Sequence, residues 1–259
     1  VIGAQELYRL EPSLRPGLAG GLLVQGDGLV YPPKSARILL ARAVARGASL
    51  VMGEVVALEE GGVLLADGSR LAAGRVVLAA GTRCLALAPE LPLRPKKGHV
   101  MITDRYPDFI RHQLVELGYI KSAHASDGDS VAFNLQPRPT GQVLIGSSRQ
   151  FDTVDLAAEP AMMARMLARA AEYTPALAGL NVLRCWTGLR AATPDGLPLI
   201  GPDPSRRDVW LATGHEGLGI TTSLATAEIL AAQLAGGQAG IDPSPYLPGR
   251  FEAQGRAYG

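Results

Sequence analysis

The chain has 259 residues, 47% of them hydrophobic and 19% charged, with a formal net charge of +1. This is the composition of a soluble globular protein long enough for one large domain or two interleaved ones. Near-neutral charge, with the only short basic cluster at Arg94, Lys96 and Lys97, gives no electrostatic reason to expect a nucleic-acid or anionic-membrane partner. Cys84 and Cys185 form no CxxC pair, and His99, His112, His124 and His215 are dispersed. The pattern therefore points to no zinc site, and to a reduced, cytoplasmic setting. No apolar run approaches the roughly 20 residues of a membrane helix, so no transmembrane segment is expected. The opening Val1 to Glu6 has neither a basic nor an apolar leader character, and without Met it reads as a chain that has lost residues upstream.

From Glu6 to Pro33 the Leu-, Gly- and Pro-rich text reads as turns and short extended pieces. The spacing then predicts a helix over 34–46, with Ala36, Leu39, Leu40, Ala43 and Val44 inward and Gly47 just past its end. Strands follow at 48–52 and 54–58. Those at 63–66 and 70–72 flank Asp67-Gly68, a tight-hairpin signal. Gly74 to Gly81 reads as a buried strand, covered on both faces and ending in a glycine turn. From about Leu91 to Leu183 the character changes to short strands at 99–103, 130–136 and 142–147. One helix, 161–173, carries Met162, Met166, Leu167 and Ala170 inward. The α/β style then returns, with a strand at 208–213, a glycine-rich turn at 214–219, and a helix over 220–234 whose stripe is Ile220, Leu224, Ala227, Ala231 and Leu234. The expected fold is mixed α/β, with an antiparallel-sheet domain inserted into a partial Rossmann-like one. Its divisions are 1–90, 91–183 and 184–259.

Gly214-His215-Glu216-Gly217-Leu218-Gly219 lies between an apolar strand and an apolar helix. In that context glycines let backbone approach a ligand, and the helix start offers free N–H groups and a positive dipole end. An anion or an electron-rich ring edge suits it. So does a plain strand-to-helix turn, because Thr222 stands where the third glycine of GxGxxG would be, and no other stretch supplies that motif.

Two stretches carry a family resemblance. Arg75-Val76-Val77-Leu78-Ala79-Ala80-Gly81 is one, and Trp186 to Gly201 continued by Thr213 to Ile220 is the other. Both resemble the flavoproteins that include D-amino-acid oxidase, glycine oxidase and sarcosine oxidase. Asn134-Leu135-Gln136 and Gly146 to Phe151 look most like bacterial hydroxyproline dehydrogenases and cyanide-forming glycine dehydrogenases. Gly20-Gly21, Asp27-Gly28, Lys97-Gly98 and Pro248-Gly249-Arg250-Phe251 look familiar too. The resemblance implies an FAD-dependent oxidoreductase that oxidises the C–N bond of an amino acid or secondary amine by hydride transfer to flavin. It also implies a small amine substrate and, from the dehydrogenases, partner subunits. The family's first strand and GxGxxG turn are absent, so this polypeptide alone is expected to bind FAD weakly or not at all. A 2-hydroxy-acid oxidase on the same fold and a flavin-free scaffold subunit are the competing expectations.

By the resemblance, Gly188 and the segment from Arg190 to Pro198 line the substrate site and the flavin ring. Arg190 then pairs with the substrate carboxylate, for which a guanidinium fork is suited. The bland alternative is an ion pair with Asp195. Cofactor contacts are implied at Val55 and Val56 (adenine), Ala80 and Gly81, and Gly214, His215, Glu216, Gly217, Leu218, Gly219 and Ile220. Asn134 and Gln136 share a strand face that either meets substrate or is solvated. Arg149 is a second carboxylate anchor or a surface ion pair. Trp186, His99, His112 and His124 read as packing, structural or surface residues. No catalytic acid or base is expected, since the cofactor carries the redox chemistry.

Overall fold

In the computed structural model, residues 1–118, 128–151 and 153–251 are described; His124 lies outside them. The elements begin with β1 (Ile2–Gly3), α1 (Ala4–Leu10), β2 (Gly20–Gly21) and α2 (Pro32–Val44). Then come β3 (Val55–Glu59), β4 (Gly62–Leu65), β5 (Arg70–Ala72), β6 (Val76–Leu78) and α3 (Cys84–Leu87). The middle holds β7 (Arg94–Thr103), β8 (Leu114–Val115), β9 (Ser130–Pro137), β10 (Val143–Phe151) and α4 (Pro160–Tyr173). The chain continues through β11 (Val182–Ala192), β12 (Leu199–Pro202), β13 (Val209–Thr213) and α5 (Gly219–Leu234). Two compact units result: Val1–Val30 with Lys96–Leu189, and Tyr31–Pro95 with Arg190–Gly259.

The first unit is built on a five-stranded sheet in the order β11-β7-β10-β9-β8. Alternation along β9 sends Phe133 and Leu135 to the face where α4 lies, and they join Met101, Val143, Ile145, Met162, Met166 and Ala170 in one core. Each of the larger side chains withdrawn from water contributes about 2 kcal/mol. Met162, Met166 and Ala170 are the buried face of α4, as its periodicity predicts. The first thirty residues pack here because Leu14 is buried in that core, with Leu7, Tyr8 and Leu18 against it. Glu11, itself buried, accepts hydrogen bonds from the backbone N–H groups of Arg111 and His112. The helix α1 replaces the turns expected there.

The second unit holds two three-stranded sheets, β12-β13-β6 and β3-β4-β5. β13 runs antiparallel to β12 and parallel to β6, which stands at the sheet's border. At the β4–β5 hairpin Gly68 takes φ +85°, and Asp67 Oδ1 accepts from the Ser69 N–H and hydroxyl. The core is Leu78, Cys84, Ala88, Leu91, Leu199, Val209 and Leu211, with a second cluster of Ile200, Ile229 and Leu230.

Several expectations are corrected. Residues 48–54 form no strand. β6 is three residues long, and Val77 is 40% exposed rather than covered on both faces. The helix α2 starts at two prolines and stops before Gly47, as predicted, yet none of its residues is buried and Leu39, Leu40 and Val44 are exposed. The helix α5 buries Thr226, Ile229 and Leu230, while Ile220 and Leu224 face out. Trp186 is 38% exposed on β11, with the Arg184 guanidinium carbon 5.8 Å from its ring centroid.

Candidate functional site

In the second unit β13 ends at Thr213 and the chain turns sharply at Gly214, where φ is +80°. A Cβ at this position would stand 2.7 Å from Thr193 Cγ2 and 3.3 Å from the Leu199 nitrogen. Only glycine fits, for both backbone and steric reasons. Glu216 follows at φ +47° in a single 3₁₀ turn (Glu216–Leu218) that leads into α5 at Gly219. Gly217, Leu218 and Ile220 are exposed, whereas His215, Glu216 and Gly219 are half-buried.

His215 Nε2 lies 2.9 Å from the hydroxyl of buried Thr226, so the ring is fastened to α5. Burial pushes its pKa below the ordinary histidine value, which keeps the imidazole neutral near pH 7. The backbone of residue 215 forms a bridge with Ala192, two residues beyond Arg190 on β11. Thr213 donates its hydroxyl to the Gly81 carbonyl at 3.2 Å. Gly81, the end of β11 with half-buried Arg190, and the His215 turn are thus brought together. Ala80 and Gly81 are exposed there. Val55 (half-buried) and Val56 (47% exposed) stand on β3 of the separate sheet, where Val55 pairs with Leu65.

The bidentate partner of Asp195 is Arg250, not Arg190. Nε reaches Oδ2 at 2.7 Å and Nη2 reaches Oδ1 at 3.0 Å. Burial pushes the Asp195 carboxyl up, but the Arg250 guanidinium and the Leu197 N–H outweigh it and hold it below the usual carboxylate range. Spacing gives no sign of this pairing; the only signal is that both residues belong to motifs the resemblance picks out.

In the first unit Asn134 and Gln136 are half-buried on the sheet face opposite α4, in register with Gly146 and Leu144. Arg149 is buried on β10 beside Ser130. Gly188 is exposed on β11, and a Cβ there would meet nothing within 4 Å. Sequence reasoning missed a buried polar set on β7. Lys97 is fully buried with Nζ 2.8 Å from Glu159, and His99 Nε2 accepts the Glu159 N–H while Nδ1 meets Ser148. The parity Lys97, His99, Met101, Thr103 was the available clue. Among the described residues no cluster of His, Cys, Asp or Glu is arranged to hold a metal, and no helix is long and apolar enough to cross a membrane.

The model of the DAO family, described as FAD dependent oxidoreductase, matches residues 1–233. Glycine oxidase of Pseudomonas putida is 32% identical over 256 residues, covering 93% of this chain and 65% of that protein. An opine oxidase subunit of Rhizobium meliloti is 28% identical, covering 98% and 65%. The crystal structure of glycine oxidase from Geobacillus kaustophilus superimposes with a TM-score of 0.81 at 27% identity, over 96% of this chain and 66% of that one. The chain belongs to the DAO family of FAD-dependent oxidoreductases. It spans just under two thirds of the length of the curated relatives it matches.

The turn fits one part of FAD. Gly217 and Gly81 border open space, since a Cβ on either would meet nothing within 4 Å. Leu218 and Ile220 offer apolar surface beside it, and the first N–H groups of α5 have no partner inside the helix. A flat, largely apolar ring with a polar edge suits that combination. For the diphosphate, the sequence contains no GxGxxG turn.

Proposed function

We propose that this chain is the larger part of an FAD-dependent oxidoreductase acting on the C–N bond of a small amino acid or secondary amine. The observation that carries the reading is the bridge between Ala192 and His215, which fastens the Arg190 end of β11 to the glycine turn. A guanidinium two residues from that bridge would hold a substrate carboxylate at the edge of the ring that the turn supports. The turn from Gly214 to Ile220, with Ala80 and Gly81, would hold the flavin ring, and Val55 and Val56 would meet the adenine. Bound there, the flavin supplies a two-electron acceptor for the α-carbon.

The chain's own residues orient rather than react. Arg190, permanently charged, anchors the acid group. The neutral His215, pinned by Thr226, adds no positive charge beside the ring. By the family resemblance alone, Asn134, Gln136 and Arg149 are proposed as further substrate contacts, and Gly188 as a flavin contact. Two relatives are themselves named as subunits, one of an opine oxidase and the other, HcnC, of hydrogen cyanide synthase. Those names support an assembly with other subunits.

The test is anaerobic reduction of enzyme-bound flavin by glycine, sarcosine, D-alanine, L-proline and glycolate, in wild type and Arg190→Met. Bleaching by amines, with at least a 100-fold loss of the second-order rate constant for flavin reduction in the variant, supports the proposal. Bleaching by glycolate alone would move the substrate to the 2-hydroxy acids. Flavin-loaded protein that none of these compounds bleaches would sink the proposal.

A further inference from the structure

Arg250, in the 3₁₀ turn Pro248–Phe251, makes more contacts than an ordinary surface ion pair. Besides its two bonds to Asp195, Nη2 donates to the Leu197 carbonyl at 2.7 Å and Nη1 to the Leu247 carbonyl at 3.1 Å. Its side chain is 14% exposed and lies 4.4 Å from the Phe251 ring centroid. Phe251 in turn packs against the core around Leu78 and Leu211. The guanidinium is therefore anchored to the body of the unit on one side and reads a single loop, Thr193–Leu197, on the other.

That loop is closed on itself. Asp195 Oδ1 accepts the Leu197 N–H at 3.0 Å, Thr193 Oγ1 donates to the Leu197 carbonyl at 2.7 Å, and Gly196 turns at φ +73°. Its inner wall is Thr193, buried against Gly214 at the closest approach in the turn. Its preceding residue, Ala192, is the one bridged to His215. The loop thus connects the strand end bearing Arg190 to the start of the glycine turn.

We propose that the Asp195–Arg250 pair is a positioning clamp, which sets the distance between Arg190 and the His215 turn by fixing the Thr193–Leu197 loop. A planar bidentate pair constrains orientation as well as distance, and the two extra carbonyl bonds leave the guanidinium little freedom. Arg250 bonds the loop, and acts on the turn and on Arg190 through it. The consequence for substrate binding rests on the function proposed above, but the mechanical statement does not.

Hydrogen exchange separates the two. In Asp195→Asn, which keeps shape and loses charge, and in Arg250→Lys, which loses the fork, amides of residues 192–219 are expected to exchange at least tenfold faster. Amides of β9, β10 and α4 should be unchanged. Unaltered exchange in 192–219, or an equal rise over the whole chain, overturns the clamp. In flavin-loaded protein, titration with acetate as a carboxylate probe should show at least a tenfold weaker Kd in both variants at constant flavin content. Acetate binding that matches wild type despite faster exchange would sink the link to substrate. Flavin-loaded wild type that binds no acetate would sink the proposed function, and the exchange measurement still decides the clamp.

Discussion

Lys97 and Glu159 form a pair of unequal burial: the lysine side chain is 0% exposed and the glutamate 41%, with 2.8 Å between Nζ and Oε1. The carboxylate also accepts from Gln150 and stands at the start of α4, where the helix dipole favours an anion.

The inequality predicts opposite outcomes for the two halves. Glu159→Ala strands a buried ammonium with Asp155 at 3.9 Å, at a cost of roughly 2–4 kcal/mol. Lys97→Met leaves a carboxylate that water already reaches, and costs about 1 kcal/mol or less. Hydrogen bonds from Lys97 and then Gln150 hold the Glu159 carboxyl below its ordinary value. Its contribution is thus complete above about pH 4.3 and is lost as pH falls through the lower folded value. Urea titrations at pH 7 and pH 3.5 measure all three expectations.

Glycines 214 and 217 should respond differently to one methyl group. Gly214→Ala forces a side chain into φ +80° and into Thr193, for roughly 2–4 kcal/mol of lost stability. Gly217→Ala meets nothing within 4 Å and changes stability by less than about 1 kcal/mol. Equal effects of the two substitutions in chemical denaturation would show that the turn is not packed as described.

His215 makes stability depend on pH in the mildly acidic range. The unfolded chain binds a proton near pH 6.5, whereas burial holds the folded pKa lower. Unfolding free energy therefore falls as pH drops from about 6.5 through the folded value, and is flat above. His215→Gln keeps a hydrogen-bonding partner for Thr226 and removes the titration. Its stability curve between pH 7 and 5 should be shallower than wild type; parallel curves would refute the assignment.

The helices α2 and α4 offer a further contrast. Leu39 and Leu40 on α2 are 49% and 44% exposed, while Met166 on α4 is 1% exposed. Leu39→Ser and Leu40→Ser should each cost less than about 1 kcal/mol, close to the helix-propensity difference. Met166→Ala should cost about 2–5 kcal/mol. Thermal melts of the three variants check the ordering.

Period and turn chemistry made the existence of α2, α4, α5, β5, β9 and the β4–β5 hairpin legible in the sequence. They did not show which face is covered. On α5 small and apolar residues surround the axis, so Ile220 and Leu224 gave as good a stripe as the Ile229 and Leu230 that the fold buries. On α2 the stripe was real, but nothing among the described residues buries it. Pairs between distant segments were also beyond reach. Asp195 lies five residues from Arg190, which suggested a pair, while its partner Arg250 is 55 residues away. The glycine turn was legible because its strand and helix neighbours are apolar. The clamp behind it was not.

The hydrogen bond from Thr213 to Gly81 joins residues 132 positions apart, and β6 pairs with β13 across a similar interval. All five strands of the first unit's large sheet are synthesised between them. Closing so long an excursion costs chain entropy that a contact within one hairpin does not. Among the described residues β6 pairs with β13 alone, a partner that leaves the ribosome more than a hundred residues later.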